Sequence, residues 1–139
     1  MKKILSIIIL FLSTTTVSAN DRNIELDKLF LELKKNIPSL SSGIAQQIWV
    51  LWSTHPTDQK LTSLLDEGSR LVIDQQLNRA IDVFTEAIEL DPNWAEAWNK
   101  RATVFYMVGE FQKSQDDIDK VLELEERHFG ALEDRAWLI

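Results

Sequence analysis

Hydrophobic positions recur along the chain at helical spacing, and proline interrupts the pattern where one segment ends. The segment from Asp21 to Asn36 carries an apolar stripe that stops before Pro38, because the residue before a proline disfavours the α-helical region. A second apolar stripe extends from Ile44 to Trp52, and we expect Ser41 or Ser42 to cap its helix. No segment alternates with a period of two for long enough to indicate a strand. The pattern therefore predicts an all-α protein.

From Leu61 onward, residues match others that lie 34 positions later. The first helix of each unit repeats a bulky, small, bulky order at Leu64, Gly68 and Leu71, at Trp98, Ala102 and Phe105, and at Leu132, Ala136 and Ile139. The second helix repeats a small, bulky, small-to-medium order at Ala80, Phe84 and Ala87 and at Ser114, Ile118 and Val121. Small residues are needed where two helices cross closely, and bulky residues fill the space on either side. Each unit is therefore predicted to be an antiparallel helix hairpin.

A 34-residue helix–turn–helix unit with this spacing resembles the tetratricopeptide repeat, TPR. The motif residues are Gly68, Leu71, Ala80, Phe84, Ala87 and Pro92 in the first unit and Trp98, Ala102, Phe105, Gly109 and Phe111 in the second. The resemblance implies a short α-α superhelix of TPR helix hairpins. Its parts would be repeat 1 at 61–94, repeat 2 at 95–128, and a partial third repeat or capping helix at 129–139.

Residues 20–58 do not follow this register, and we interpret them as an N-terminal helical cap over the exposed face of the first repeat. Equivalent positions hold Glu67 in the first repeat and Arg101 in the second, which suggests an ion pair between adjacent helices. Gly109 is expected to make the turn inside the second repeat, where Gln75 stands in the first.

The first 19 residues have the order of a secretory signal peptide. Lys2 and Lys3 precede the apolar run from Ile4 to Leu12, and the small residues that follow end at Ala19, where cleavage is expected. An uncleaved membrane anchor is the alternative, but nine apolar residues rise only about 14 Å as a helix, short of a hydrocarbon core near 30 Å. The protein is therefore expected to be exported, periplasmic or secreted, with no membrane association after cleavage.

Charge and composition limit the kinds of partner and chemistry that the protein is expected to have. The chain has 139 residues, no cysteine and a formal net charge of -7, and signal cleavage would remove two lysines. An acidic surface repels nucleic-acid phosphates and anionic lipid headgroups, so neither is an expected partner. Without cysteine the chain forms no disulfide and has neither thiol catalysis nor a cysteinyl metal site.

No arrangement of residues in the sequence indicates catalysis, so we predict that the protein is not an enzyme and has no catalytic residues, cofactor or metal site. The two histidines, His55 and His128, are interpreted as solvated residues at joints between helices. Asp116, Asp117 and Asp119 spread around a helix and lack the glycine and alternating ligands of a calcium loop, so they are interpreted as a solvated face.

Three of the five tryptophans bear on ligand binding. Trp98 occupies a core position of the repeat. Trp49 and Trp52 lie on one helix face, where they either pack on the first repeat or stand exposed for a partner, and packing is the favoured interpretation.

The resemblance implies a concave side lined by the first helix of each repeat, as a site for a protein or peptide segment. The candidate peptide-binding residues on that face are Leu65, Asp66, Ser69, Val72, Asn99, Lys100, Thr103 and Tyr106. Acidic residues crowd the same face at Asp66, Glu96, Glu133 and Asp134. This charge disfavours a clamp for a terminal carboxylate and favours a basic or neutral partner segment.

The last segment raises an alternative function, because a solenoid ends in a helix with a polar outer face. Here the face formed by Leu132, Ala136 and Ile139 is apolar, and no second helix follows it in this sequence. We therefore expect that face to be covered by a homodimer or another partner, or the chain to be a shortened version of a longer array.

Overall fold

The structure, a computed structural model, describes the backbone of residues 19–138 and the side chains of residues 20–138. The predicted signal peptide up to residue 18, and Ile139, lie outside the described residues. The described chain is all-α, as predicted. Its seven packed helices are α1 (Ala19–Leu33), α2 (Pro38–Ser53), α3 (Gln59–Ile73), α4 (Leu77–Leu90), α5 (Ala95–Met107), α6 (Phe111–Leu124) and α7 (Phe129–Leu138).

The helices pack as consecutive hairpins. Helices α3 and α4 lie in the segment assigned to the first repeat, α5 and α6 in that of the second, and α7 follows as the first helix of the next unit. Helices α1 and α2 form a further hairpin ahead of the repeats. Within the described residues, no helix is both long enough and apolar enough to cross a membrane.

The turns inside the two repeats have the same conformation although their sequences differ. Gln75 has a φ of 58° and Gly109 a φ of 81°, both in the left-handed region. In the first turn the Gln76 amide donates to the Leu71 carbonyl at 2.8 Å, and 34 residues later Glu110 donates to Phe105 at 2.8 Å. This pattern closes a helix with a left-handed residue after its last turn. The predicted equivalence of the two turn positions is confirmed.

Small residues stand where the paired helices approach most closely, as the sequence pattern predicts. A Cβ atom placed on Gly68 would lie only 2.6 Å from Cζ of the buried Phe84 ring. In the second repeat Ala102 and Ser114 are buried at the corresponding crossing, and the Ser114 hydroxyl donates to the Ala102 carbonyl at 2.9 Å. Larger side chains at these positions would force the helices apart.

The α1–α2 hairpin has a hydrophobic cluster of its own. Its buried members are Leu26, Leu29, Ile44, Ile48 and Trp52. The repeats are held by two other clusters, one centred on α3, α4 and the start of α5, and one on α5, α6 and α7. The repeat core and the hairpin core are therefore separate units of packing.

One expectation about the N-terminal segment is wrong. Helix α2 begins at Pro38 rather than after Ser41 or Ser42, because proline has a preset φ and lacks the N–H that a first helical turn leaves unpaired. The hairpin contacts the predicted first repeat, where Trp94 donates a hydrogen bond to the Trp52 carbonyl, and it also extends beyond that repeat. Its aromatic side chains contact His128 and Phe129, at the start of the third unit, so it reaches across the repeats.

Candidate peptide-binding face

The face that the resemblance implies to be concave is formed by the first helix of each unit, α3, α5 and α7. Of the residues predicted to line it, Asp66, Thr103 and Tyr106 are exposed, whereas Leu65 and Asn99 are buried. The other three, Ser69, Val72 and Lys100, are partly buried. On α5 the predicted set therefore divides into a covered part near the N-terminal end and an accessible part near the C-terminal end, whereas on α3 the exposed Asp66 directly follows the buried Leu65.

The covered residues are held by specific contacts. Leu65 belongs to the main repeat core. Asn99 is only 5% exposed, and its amide nitrogen donates to Glu96 at 3.4 Å. The hydroxyls of Ser69 and Thr103 donate to carbonyls one turn back, at 2.8 and 3.1 Å. These two hydroxyls therefore donate within their own helices. Tyr106 carries an accessible polar group, since 49% of its surface is exposed.

The N-terminal part of the face holds an aromatic cluster contributed by α2. The Trp52 ring stacks on His128 with centroids 4.1 Å apart, and the Trp49 ring meets His128 edge to face at 5.4 Å. Trp49 and Trp52 also contact Phe129 at 5.1 and 4.9 Å. The favoured interpretation, that both tryptophans pack, is confirmed, and their rings pack on His128 and Phe129, at the junction of the second and third units.

His128 lies at the centre of this cluster, and the expectation that it is solvated is wrong. It is fully buried, and its Nε2 lies 2.8 Å from Oε2 of Glu96, which is also buried. The Ala131 amide donates to His128 Nδ1 at 3.2 Å. Since Nδ1 accepts, the proton of the neutral ring resides on Nε2 and points to the Glu96 carboxylate. His128 thus caps the first turn of α7 and holds Glu96 at the same time.

His55 is also fixed rather than solvated, which corrects the second histidine interpretation. Its Nδ1 accepts from the amides of Thr57 and Asp58, at 3.3 and 3.0 Å, and its Nε2 lies 2.8 Å from Asp91. The His55 amide donates to the Thr62 hydroxyl at 2.9 Å. These bonds anchor the segment between α2 and α3 to the first repeat.

Arg127 joins the hairpin to the junction between α6 and α7. It pairs with Glu125 at 2.8 Å and with Asp27 of α1 at 2.7 Å, and its guanidinium lies 4.5 Å from the centre of the Phe30 ring. The hydrogen bond to Glu125 raises the pKa of Arg127, although its partial burial opposes this. Burial alone would raise the pKa of Glu125, but the hydrogen bonds from the Arg127 side chain and backbone outweigh it and lower that pKa.

A second arginine, Arg22 of α1, lies partly buried among carboxylates of the repeats. Burial lowers the pKa of its guanidinium, while the nearby charges of Glu125, Asp91 and Glu96 favour the charged form. Three carboxylates from the repeats therefore act on one cation of the hairpin. The acidic character predicted for the concave face extends to its covered part.

Two expectations about charged residues of the repeats are wrong. Arg101 does not pair with Glu67: its Nε and Nη2 donate to Asp117 at 2.8 Å each, and its Nη1 donates to Thr85. Asp117 is correspondingly only 4% exposed, although the charged run around it was interpreted as a solvated face. Asp116 and Asp119 are exposed as expected.

The accessible part of the face continues into a pocket with a volume of about 270 Å³, lined by Thr103, Tyr106, Ser114, Asp134, Trp137 and Leu138. Burial raises the pKa of the Asp134 carboxyl, and the charge of Glu133 adds to the effect. The pocket combines aromatic rings with a carboxylate and hydroxyls. Such a lining suits an apolar side chain that has a polar or cationic end.

Among the described residues, no cluster of three or more His, Asp or Glu side chains is arranged to hold a metal ion. Glu96 and His128 were not among the predicted site residues, yet a signal for the burial of His128 was present in the repeat spacing. His128 lies 34 positions after Trp94, which is also buried. The same register places Gly130 after Glu96, and a Cβ at Gly130 would lie 2.8 Å from the Trp49 ring.

Comparison with known proteins agrees with this architecture. The family model described as TPR repeat matches residues 68–109. A TPR repeat-containing protein of Rhizobium etli is 39% identical over 116 residues, covering 82% of this chain and 56% of that protein. Tetratricopeptide repeat protein 36 of Caenorhabditis elegans is 33% identical over 89 residues, covering 63% and 50%. Sperm-associated antigen 1 of Rattus norvegicus is 28% identical over 76 residues, covering 54% and 8%.

The matched repeat and the helix hairpins support a TPR repeat at residues 68–109, and over most of its length the chain is similar to a TPR repeat-containing protein. Proteins of this class are generally non-catalytic scaffolds that take part in protein–protein interaction. The chain spans about half the length of two of these relatives, at 56% and 50%, and 8% of the third.

Proposed function

We propose that this protein is a non-catalytic interaction module that binds a segment of another protein on the concave face of its TPR repeats. The observation that carries the proposal is that this face already receives a helix, because α2 lies on it through Trp49 and Trp52. A surface that packs aromatic rings of one helix has the chemistry needed to bind another. The module therefore acts by binding, and its specificity lies in the side chains of α3, α5 and α7.

The accessible part of the face provides the first contact for the partner. Tyr106 and Trp137 are exposed beside the pocket, and Asp134 supplies a carboxylate there. Tyrosine and tryptophan are enriched among residues that dominate binding energy. The net charge of the chain and the carboxylates on this face favour a basic or neutral segment, and they disfavour nucleic acid and anionic membranes.

The interaction is proposed to take place outside the cytoplasm. The support is the order of the first 19 residues, in which Lys2 and Lys3 precede an apolar run and Ala19 follows small residues. Mass spectrometry of the protein recovered from a periplasmic extract and from culture medium tests this. A mature species that begins at Asn20 supports export with cleavage, and recovery of the full-length species in the cytoplasm alone contradicts it.

Site-specific photo-crosslinking tests the binding proposal. A photo-crosslinking amino acid replaces Tyr106 on the concave face in cells that make the protein, and a matched variant carries it at Asp116, exposed on α6. We expect position 106 to capture a discrete protein that position 116 does not. Binding of that purified protein should then weaken at least tenfold with Tyr106→Ala. Identical capture patterns from both positions, or an unchanged affinity of Tyr106→Ala, would refute the assignment of the face.

Self-association is the alternative function, and one observation favours it. On α7, Leu132 is exposed and Trp137 is 75% exposed, so the described residues leave an apolar surface there. Apolar surface of this kind favours contact with a matching surface. Light scattering across a range of concentrations, with Leu132→Asp as the variant, distinguishes the functions. A dimer that Leu132→Asp dissociates would support assembly, whereas a wild-type monomer at high concentration would exclude it.

A further inference from the structure

We propose that the α1–α2 hairpin is an internal ligand of the concave face. We further propose that the partner is a helix with two aromatic residues one turn apart near its C-terminal end. Such a helix would take the place of α2. The inference rests on the proposed binding function and adds the chemistry of the partner and the way access to the face is regulated.

The aromatic requirement follows from the fit of Trp49 and Trp52. His128 offers its ring face to Trp52, and the absence of a side chain at Gly130 makes room for Trp49, whose ring would lie 2.8 Å from a Cβ there. The ammonium group of Lys100 lies 6.0 Å from the centre of the Trp49 ring. The Trp52 ring is stacked and the Trp49 ring is faced by a cation, and each arrangement favours an aromatic over an aliphatic side chain. The surface therefore recognises an aromatic pair.

The position of the pair within the ligand helix follows from a hydrogen bond. Trp94 Nε1 donates to the main-chain carbonyl of Trp52 at 2.8 Å, and α2 ends at Ser53. The last four carbonyls of a helix have no partner within the helix itself. Trp94 supplies a donor to one of them. The face therefore recognises the C-terminal end of a helix as well as its side chains.

A charge contact also holds the hairpin in place. Asp27 of α1 pairs with Arg127 at 2.7 Å, so the hairpin brings a carboxylate to a cation of the repeats. Electrostatic complementarity of this kind fixes the register of a bound segment and suppresses wrong partners.

The hairpin fits the face imperfectly, which makes it replaceable. Among residues 20–138, the buried side-chain atoms without a hydrogen-bond partner are Arg22 Nε, Trp52 Nε1, Glu96 Oε1 and Asn99 Oδ1. All four belong to the hairpin or to the part of α5 on the covered face. Leaving a buried polar group unpaired is destabilising. Displacement returns the Arg22 and Trp52 atoms to water, and a ligand that pairs Asn99 Oδ1 competes with the hairpin even though the hairpin is tethered to the repeats.

The hairpin can leave the face without unfolding the repeats. Its own buried cluster is separate from both repeat clusters, with Phe129 the partly buried side chain of the repeats that packs against it. The connecting segment is anchored by His55 to Asp91 and Thr62, so the hinge for such a movement precedes His55. The closed arrangement is therefore a docked state of two packed units.

Competition with a peptide of the protein's own sequence tests the proposal. The probe is a fluorescently labelled peptide of residues 20–54, and the receptors are the full chain and its Trp49→Ala variant, compared by fluorescence anisotropy. We expect Trp49→Ala to bind the probe at least tenfold more tightly than the wild type, because the weakened internal hairpin no longer competes. The matched control Val50→Ala, at an α2 residue that is 54% exposed, should bind as the wild type does.

A second substitution locates the probe on the proposed surface. Adding Gly130→Leu to the Trp49→Ala chain should abolish probe binding, because a leucine there fills the space of the probe's Trp49 ring. Equal affinity of the wild type and Trp49→Ala for the probe, or binding that survives Gly130→Leu, would overturn the proposal. Hydrogen exchange of the unmodified chain gives a second measurement. We expect amides of α1 and α2 to exchange through an opening that leaves α3–α6 protected, and equal protection of all these helices would overturn the proposal.

The two proposals fail in different ways. Capture of a protein from position 106, together with no tighter probe binding by Trp49→Ala, would leave the interaction module standing and remove the internal ligand. Tighter probe binding by Trp49→Ala without a protein captured at Tyr106 would leave the docked hairpin standing and remove the partner proposed for this face.

Discussion

The turn inside each repeat gives the sharpest test of the structure, because two different residues adopt the same left-handed conformation. Gln75 has a φ of 58° and Gly109 a φ of 81°. A residue with a Cβ atom in this conformation is strained by about 1–2 kcal/mol, whereas glycine is not. Replacing Gln75 with glycine removes that strain but adds about 0.4–1 kcal/mol of chain entropy to the unfolded state. We therefore expect Gln75→Gly to stabilise the protein by about 0.5–1 kcal/mol.

The opposite substitution has the opposite sign. A Cβ on Gly109 would meet no atom within 4 Å, so Gly109→Ala tests the backbone conformation alone. We expect it to destabilise the protein by about 1 kcal/mol, since the strain exceeds the entropy lost from the unfolded chain. The matched control is Gln76→Gly, because Gln76 is the next residue along, has a φ of -87° and gains no relief from glycine.

Urea denaturation followed by far-ultraviolet circular dichroism measures these differences as shifts of the midpoint at constant slope. The expected order of stability is Gln75→Gly above wild type, wild type at or above Gln76→Gly, and Gly109→Ala below wild type. Equal effects of glycine at positions 75 and 76 would mean that the left-handed conformation of Gln75 is not a source of strain. An unchanged Gly109→Ala would refute the same reasoning at the second turn.

Two further predictions concern charged groups. Asp117→Asn should destabilise the protein by about 2–4 kcal/mol in urea denaturation, because it leaves the Arg101 guanidinium without its buried counterion. The control Asp116→Asn, at an exposed neighbour, should change stability by less than about 0.5 kcal/mol. Equal effects of the two substitutions would contradict the pairing of Arg101 with Asp117. Because the folded pKa of Glu125 lies below its ordinary value of 4.5, its stabilising contribution is complete above that pH and is lost as the pH falls through the lowered pKa. Glu125→Gln should accordingly reduce the acid sensitivity of thermal unfolding, and an identical pH profile in both proteins would refute this.

The repeat architecture could be predicted in detail because its determinants are local and recur at a fixed spacing. The order of small and bulky residues placed Gly68 against Phe84 and Ala102 against Ser114, and the structure has both contacts. Part of the candidate face could be predicted in the same way, since Thr103 and Tyr106 are exposed on α5. Helical periodicity fixes which side of a helix faces its partner, so these features need no knowledge of distant segments.

The covered half of the face could not be predicted, because it depends on contacts between distant parts of the chain. The sequence indicated that Trp49 and Trp52 share an apolar side of a helix. Because the hydrophobic effect is non-directional, it does not identify His128 as the residue on which they pack. Asp27 and Arg127 meet across 100 residues, and neither position carries a pattern that links them. A polar residue is expected to be solvated when its partner is unknown. For this reason Asp117 and both histidines were wrongly predicted to be solvated.

The sequence by itself therefore determined the helices, the 34-residue hairpins, the turns and the acidic character of the concave side, since each follows from local spacing or from a sum of charges. Tertiary structure alone decided that α1 and α2 lie across that side and that Glu96 and His128 form a buried pair beneath them. The physical reason is that secondary structure is encoded by neighbours along the chain. The choice of a docking surface depends on shape and charge that exist only after the repeats have stacked.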